Sequence, residues 1–305
     1  MLLKKIVNRL NRYITRPGEL FRYSTPNVRS IYSSLCKSLF FFSFRKRKNY
    51  FNNQKTVKQF NEKTGYFSTQ SFSDKIIMKN AVNSAEIMFD KYLDNLKETD
   101  QKKSYLHTVP FDKGFDLNHP IMKLALSDEM VDIATSYLKF LPILSEIRLW
   151  YSPNTSAQNV GSQLFHLDYA DISQVKVFIP IEHIDEDCGP LTFIPANISK
   201  KICKNINYKL TNDEIRVEDA IVNNFLEEKD YCKATGNPGD MFFVDTSRCL
   251  HYGSRGATKS RKILMIQYIS PFSFSFPLFY KNKTTFSHLA NFDSSKKTKL
   301  LLGSI

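Results

Sequence analysis

An α+β fold, with helices leading and an antiparallel β core following, is the class that this 305-residue sequence predicts. Three observations predict it. Between Phe60 and about Ser145, apolar residues recur at three- and four-residue spacing, the period of a helix with one buried face. From Glu146 onward the pattern changes to short runs rich in β-branched and aromatic residues: EIRLWYS, KVFIPIEHI, GPLTFIP, GDMFFVD and RKILMIQYIS. Gly, Pro and Asn stand between these runs, as turns between strands require. An aromatic share of 13%, with 25 Phe and 15 Tyr, suits a strand-rich core.

In chain order, residues 1–58 read as a basic N-terminal arm, amphipathic or partly disordered. MLLKKIVNRLNRYITR sets Leu3, Ile6, Val7 and Leu10 at helical spacing, with Lys4, Lys5, Arg9 and Arg12 elsewhere on the wheel. Such a helix fits peripheral contact with an anionic membrane surface, an organellar transit peptide, or a solvated arm packed loosely on the domain. One folded domain is expected over 59–280. Its helical lead-in, 59–145, holds one helix opening at Ser73-Asp74, with apolar Ile77, Ala81, Ala85, Met88, Tyr92 and Leu96. A second helical pattern, HPIMKLALSDEMVDIATSYLKF, breaks near Ser127. The β core spans 146–280 and carries a polar insertion at 200–235. The C-terminal tail, 281–305, shows no chemical signal.

Charge is placed unevenly. The chain holds 43 Lys and Arg against 30 Asp and Glu, and the whole excess of +13 falls within residues 1–60, which contain a single acid, Glu19. The body is therefore neutral, and specific nucleic-acid binding over a globally basic surface is not expected. Cys36, Cys188, Cys203, Cys232 and Cys249 are odd in number and form no CxxC pair, the usage of a reducing compartment. The most apolar stretch, SIYSSLCKSLFFFSF, is interrupted by Lys37 and is shorter than the ~20 residues a span needs. A cytoplasmic protein, with peripheral membrane attachment or organellar targeting left to the arm, is the expectation; oligomeric state is not legible.

The chemistry concentrates in GSQLFHLDYAD, residues 161–171. In extended backbone, positions i and i+2 share a face, so His166 and Asp168 can converge on one point. Alone the pair says little, since roughly one chain in three of this composition holds a chance His-x-Asp. On residue type alone, His166 and Asp168 fit an ion pair as well as two metal ligands. The later FFVDTSRCLHYGSR ends a strand run at His251, and Arg261 follows ten residues on. Two His and one carboxylate make the facial set of non-haem Fe(II) oxygenases, which leaves positions open for a 2-oxo acid and O2. An Arg at the head of a neighbouring strand offers a planar two-donor fork to the distal carboxylate of that acid.

From TGYFSTQSFSD (64–74) to about Ser270, the chain resembles the phytanoyl-CoA dioxygenase family of Fe(II)/2-oxoglutarate-dependent oxygenases. The resemblance runs through LALSDEMVDIATSYLKFLPILSEIRLWYSP, QLFHLD, CGPLTFIPANIS, NPGDMFFVDTSRCLHYGS and SRKIL, about two-thirds of the chain. It implies a double-stranded β-helix (a cupin-like jelly roll) with flanking N-terminal helices. It implies Fe(II) on His166, Asp168 and His251, 2-oxoglutarate as cosubstrate and O2 as oxidant, with Arg261 on the cosubstrate carboxylate. Arg148 and Trp150, two apart on a strand, are carried over as cosubstrate-pocket residues, with Gln163 and Thr192 as further candidates. Asp245 and Thr246, before His251, are expected to hydrogen-bond a ligand ring. The His251-to-Arg261 spacing is ten where eleven is common in the family, which makes Lys262 a competitor for the anchor. PANIS stands where the family often has Gly-Ser-His. A carboxylate at 168, where related halogenases carry a small residue, favours hydroxylation of a small organic substrate with release of succinate and CO2. Two other classes remain beside this: a catalytically degenerate jelly-roll binding module, and a surface-attached protein whose basic arm binds membrane or nucleic acid.

Overall fold

In a computed structural model of the chain, residues 26–54, 60–96, 105–112, 114–153, 160–208, 216–272 and 286–305 are described. The amphipathic stretch at 3–12 lies outside them. Eight helices and nine strands are named in chain order. Helices α1 (Pro26–Leu39) and α2 (Phe41–Asn52) precede strand β1 (Tyr66–Thr69), helix α3 (Lys75–Asp94) and strand β2 (His107–Val109). Helices α4 (Pro120–Leu126) and α5 (Asp128–Leu138) lead into strands β3 (Ile143–Ser152), β4 (Val175–Pro180) and β5 (Thr192–Phe193). Then come helices α6 (Ala196–Asn205) and α7 (Asp219–Val222), strands β6 (Cys232–Lys233), β7 (Met241–Val244), β8 (His251–Tyr252) and β9 (Arg261–Ile269), and helix α8 (Lys296–Leu301).

The larger sheet has the order β1-β7-β4-β9-β3-β2 and the smaller β6-β5-β8. All pairings are antiparallel. A bridge between His166 and His251 places the segment at 165–166 beside β8, as a fourth member of the smaller sheet. The chain thus alternates between sheets: β3 large, 165–166 small, β4 large, β5 and β6 small, β7 large, β8 small, β9 large. That alternation is the strand order of a double-sheet jelly roll.

The larger sheet is covered on both faces, which is why its central strands are apolar at nearly every position. In β4, Val177 and Ile179 face the helical layer while Phe178 faces the smaller sheet; in β9, Leu264, Ile266 and Tyr268 oppose Ile263 and Met265 in the same way. Helix α3 begins where Asp74 accepts from the backbone N–H groups of Ile76 and Ile77, filling two of the orphan donors of a first turn. It buries Met78, Ala81, Val82, Ala85, Met88 and Phe89, one face of the wheel. The second helical pattern does break at Ser127, whose extended ψ of 147° separates α4 from α5.

Two strands fall inside the lead-in that the sequence reads as helical. β1 pairs with β7, and β2 with β3. They span only four and three residues, too few to show a period of two, and their strand character comes from the sheet edges they complete. The described part of the basic arm is anchored as well. Arg47, buried, donates to the carbonyls of Leu141 and Pro142 at 3.1 Å and of Leu300 at 2.9 Å. It ties α2, the turn before β3 and α8 together. Arg29 donates to the Asp171 carbonyl at 2.6 Å. The tail also joins the body, since Leu300, Leu301 and Leu302 are fully buried.

Candidate metal centre and its cavity

His166 and His251 face each other across the smaller sheet, where each backbone N–H donates to the other residue's carbonyl, at 3.0 and 3.1 Å. Their rings lie 4.2 Å apart between centroids. Each Nδ1 approaches a backbone carbonyl two residues earlier: Leu164 O at 2.9 Å for His166 and Cys249 O at 3.0 Å for His251. A carbonyl only accepts, so Nδ1 carries the proton in both rings, and both Nε2 atoms present lone pairs. Those lone pairs meet the Asp168 carboxylate at 3.9 Å from His166 and 3.8 Å from His251, beyond hydrogen-bond range. The three ligand atoms lie within 4.8 Å of one another, with His166 and His251 buried and Asp168 half-buried.

Three lone-pair donors converging without a proton between them repel one another unless a cation sits among them. The set fits a divalent metal, and two imidazoles with one carboxylate is the donor chemistry of the facial iron site. Burial is the main cause that holds His166 well below the usual histidine range, and His251 lower as well. Both rings are therefore neutral and ready to ligate at pH 7. For Asp168 burial pushes upward, but the Lys176 ammonium beside it outweighs this and holds the carboxyl well below the ordinary range.

The carboxylate is braced from the larger sheet. Lys176 Nζ donates to Asp168 Oδ2 at 2.7 Å, and Gln174 Nε2 donates to the same oxygen at 3.1 Å. Gln174 also reaches Thr246 Oγ1 at 2.6 Å. Lys176 and Gln174 were not singled out from the sequence. A signal for them was present: in QVKVFIP, Gln174 and Lys176 occupy alternate positions of an otherwise apolar strand, one face of which must look at something polar.

His166, Asp168 and His251 open onto a cavity of about 560 Å3 whose lining includes Trp150, Lys176, Arg216, Ser254, Arg261 and Gln267. Arg261 is buried at its far wall. Its Nη1 donates to Gly189 O at 2.6 Å, and its Nη2 donates to Ser254 Oγ at 2.6 Å and Ser152 Oγ at 3.3 Å. Nε is buried with no hydrogen-bond partner. No carboxylate among the described residues pairs with this guanidinium. Burial lowers it to about 10, and a buried cation without an anion is costly until one arrives. Two backbone features set the cradle. Gly189 turns its carbonyl toward Arg261 at φ +61°, where a Cβ would lie 2.8 Å from Arg255 O. Ser254 holds the left-handed region at φ +62°, a strain of the kind found where geometry is over-determined.

The remaining sequence candidates are distributed as follows. Trp150 lines the cavity and packs on Phe178 at 6.4 Å between centroids. Arg148 is bound through Nε and Nη2 to Glu146 Oε1 at 2.9 and 2.5 Å and does not line the cavity. Lys262, the alternative to Arg261, points to the other face of β9, where it meets Asp90 at 3.2 Å. Gln163 donates to Ser254 O at 2.6 Å, supporting the cradle from behind. Thr192 is buried against the Pro190 carbonyl at 3.3 Å. Asp245 and Thr246 do not touch a ligand ring, because backbone carbonyls already occupy both Nδ1 atoms. Asp245 instead accepts from Tyr137 at 2.7 Å, Ser173 at 2.6 Å and the Gln174 backbone at 3.2 Å. Both residues thus act on Asp168 through Gln174, and Thr246 O also accepts from the Asp168 backbone at 2.9 Å.

No protein-family model and no curated protein matches the chain. Solved structures do. EctD from S. alaskensis with 2-oxoglutarate and 5-hydroxyectoine is 14% identical over 78% of this chain and 83% of that one, with a TM-score of 0.49. The epimerase SnoN in complex with Fe3+, alpha-ketoglutarate and nogalamycin RO is 14% identical over 68% and 80%, with a TM-score of 0.44. AviO1 from Streptomyces viridochromogenes Tue57 is 12% identical over 70% and 92%, with a TM-score of 0.41.

Proposed function

We propose that the protein is a non-haem Fe(II)/2-oxoglutarate-dependent oxygenase of the phytanoyl-CoA dioxygenase type, hydroxylating a small organic substrate with release of succinate and CO2. The observation that carries this reading is the convergence of His166 Nε2, His251 Nε2 and the Asp168 carboxylate with no proton to share among them. Iron bound there supplies the oxygen chemistry, using electrons released as the 2-oxo acid is decarboxylated. The chain's own contribution is placement. Leu164 O and Cys249 O hold the imidazoles in the ligating tautomer, and such outer contacts typically tune a metal site. Lys176 and Gln174 hold Asp168 Oδ2, which sets the carboxylate with Oδ1 nearest His166 Nε2 and Oδ2 nearest His251 Nε2. Arg261, with an unpartnered Nε and no acid of its own, takes the distal carboxylate of 2-oxoglutarate, while Ser152 and Ser254 fix its plane.

The reading is tested by anaerobic titration with Fe(II) and 2-oxoglutarate, followed by succinate release on admitting O2. Wild-type protein is expected to bind both and to turn over slowly without substrate. His166→Ala and Asp168→Ala are each expected to abolish iron-dependent turnover while keeping the melting transition. Turnover retained in either variant overturns the assignment. A wild-type chain that binds neither Fe(II) nor 2-oxoglutarate would instead be the degenerate jelly-roll module.

A further inference from the structure

The described carboxylates and cations lining the cavity are Glu146, Asp168, Lys176, Arg216 and Arg261. Four of them have a structural answer. Glu146 is claimed by Arg148, Asp168 by Lys176, and Arg261 sits in its cradle of one carbonyl and two hydroxyls. Arg216 has none: no carboxylate or carbonyl among the described residues accepts from it, and its Nη1 is buried without a hydrogen-bond partner. It enters from the polar insertion, next to Val217, whose backbone N–H binds Phe165 O at 2.8 Å, one residue before His166. A guanidinium held at the rim of a metal centre with empty donors is a preformed oxyanion site.

We propose that Arg216 binds an oxyanion group of the substrate, a carboxylate or a phosphate, and so makes this an oxygenase of anionic small molecules. The proposal rests on the oxygenase reading of the same cavity. Of the two cations without an acid partner, Arg261 is committed to the cosubstrate, and Arg216 is left over on the wall that the insertion contributes.

Calorimetric titration of sulfate, and separately of acetate, into the protein holding Fe(II) and saturating 2-oxoglutarate under argon tests this. Saturation closes the Arg261 end, so the added anion reads Arg216. Wild type is expected to bind one of the two. R216Q is expected to weaken that binding at least tenfold and R216K to retain part of it, while 2-oxoglutarate affinity stays within about twofold in both. Tighter sulfate points to a phosphate ester, tighter acetate to a carboxylate. Equal anion binding in wild type and R216Q overturns the proposal, as does loss of 2-oxoglutarate affinity in R216Q, which would make Arg216 the cosubstrate anchor. If the wild type takes neither Fe(II) nor 2-oxoglutarate, the oxygenase reading fails by itself. The same anions titrated into metal-free R261Q and R216Q/R261Q then still report on Arg216.

A separate observation concerns the N-terminal helices. Ile31, Leu35, Leu39 and Phe42 recur every three or four residues along α1 and into α2, and they are 61%, 57%, 78% and 83% exposed. The opposite face is seated by buried Arg29, Ser33 and Arg47. The stripe is therefore held outward on an anchored element. Residues 26–54 contain six Lys and Arg and no acid, and Arg45, Lys46 and Lys48 are exposed beside the stripe. An apolar stripe flanked by unopposed positive charge matches an anionic bilayer surface, and we infer that this face docks on one. Full-length protein is expected to co-sediment with phosphatidylcholine vesicles containing phosphatidylserine, less so as salt rises, and L39S/F42S to lose at least tenfold in affinity. Both positions are exposed, so the variant folds and keeps its succinate release. Equal sedimentation of the variant overturns the inference. So does a self-association that L39S/F42S abolishes without vesicle binding, or preference for a single-stranded RNA oligonucleotide over the vesicles.

Discussion

In the larger sheet β3 runs ten residues and β9 nine, and both faces are covered; in the smaller sheet no named strand exceeds two residues. Yet the smaller sheet supplies both candidate metal-binding imidazoles. A long ladder spends its carbonyls on other strands. The short one leaves Leu164 O and Cys249 O pointing at imidazole Nδ1 atoms, so the same sparse pairing that makes this sheet irregular also sets the tautomers. The larger sheet contributes rigidity and reach: Lys176, Gln174 and Arg261 extend from its inner face to brace the carboxylate and close the far wall. Scaffold and ligand positions are thus divided between two layers, joined by one shared apolar interface.

That division can be broken from either side. His251→Ala should lower Fe(II) affinity at least a thousandfold, on the order of 4 kcal/mol, with little change in melting temperature; binding would be measured by anaerobic metal titration. Leu264→Ala, in the fully buried outer face of β9, should do the reverse, costing about 3 kcal/mol of stability in denaturant unfolding with metal affinity preserved in the folded fraction. Arg261→Gln should raise the dissociation constant for 2-oxoglutarate roughly thirtyfold, about 2 kcal/mol, and leave Fe(II) binding alone.

A smaller effect is expected where the N-terminal helices meet the core. Burial raises Asp171 to about 7, so the folded state holds a proton that the unfolded chain releases near pH 4. The protonated form favours folding, and stability from this group is present at low pH and lost as pH rises from about 4 to about 7. Asp171→Asn should remove that loss, so the variant should gain stability relative to wild type steadily as pH rises across this window. Urea unfolding at several pH values measures it, and a difference that stays flat with pH would contradict the shift. Arg148→Ala, which removes only a half-exposed pair with Glu146, should change stability by less than about 0.5 kcal/mol and leave 2-oxoglutarate affinity as it was.

Much of the fold is legible in the sequence because its long elements carry their own period. The α3 face from Met78 to Phe89, the Asp74 cap and the break at Ser127 follow from local pattern and backbone chemistry. The strands β3, β4 and β9 follow from continuous apolar runs. The short edge strands β1 and β2 are not legible, because three or four residues carry no period and become strands only when β7 and β3 offer open edges.

The site divides along the same physical line. Residue type and local spacing by themselves determined that His166 and Asp168 share a face, that His251 ends a strand, and that Arg261 heads the next one. Tertiary structure alone decided the rest, because a side chain's partner is set by distance in space and not along the chain. It placed the Lys176 ammonium on Asp168, turned Asp245 and Thr246 toward Gln174 and away from either imidazole, bound Arg148 to Glu146, and left Arg216 facing the cavity without an anion.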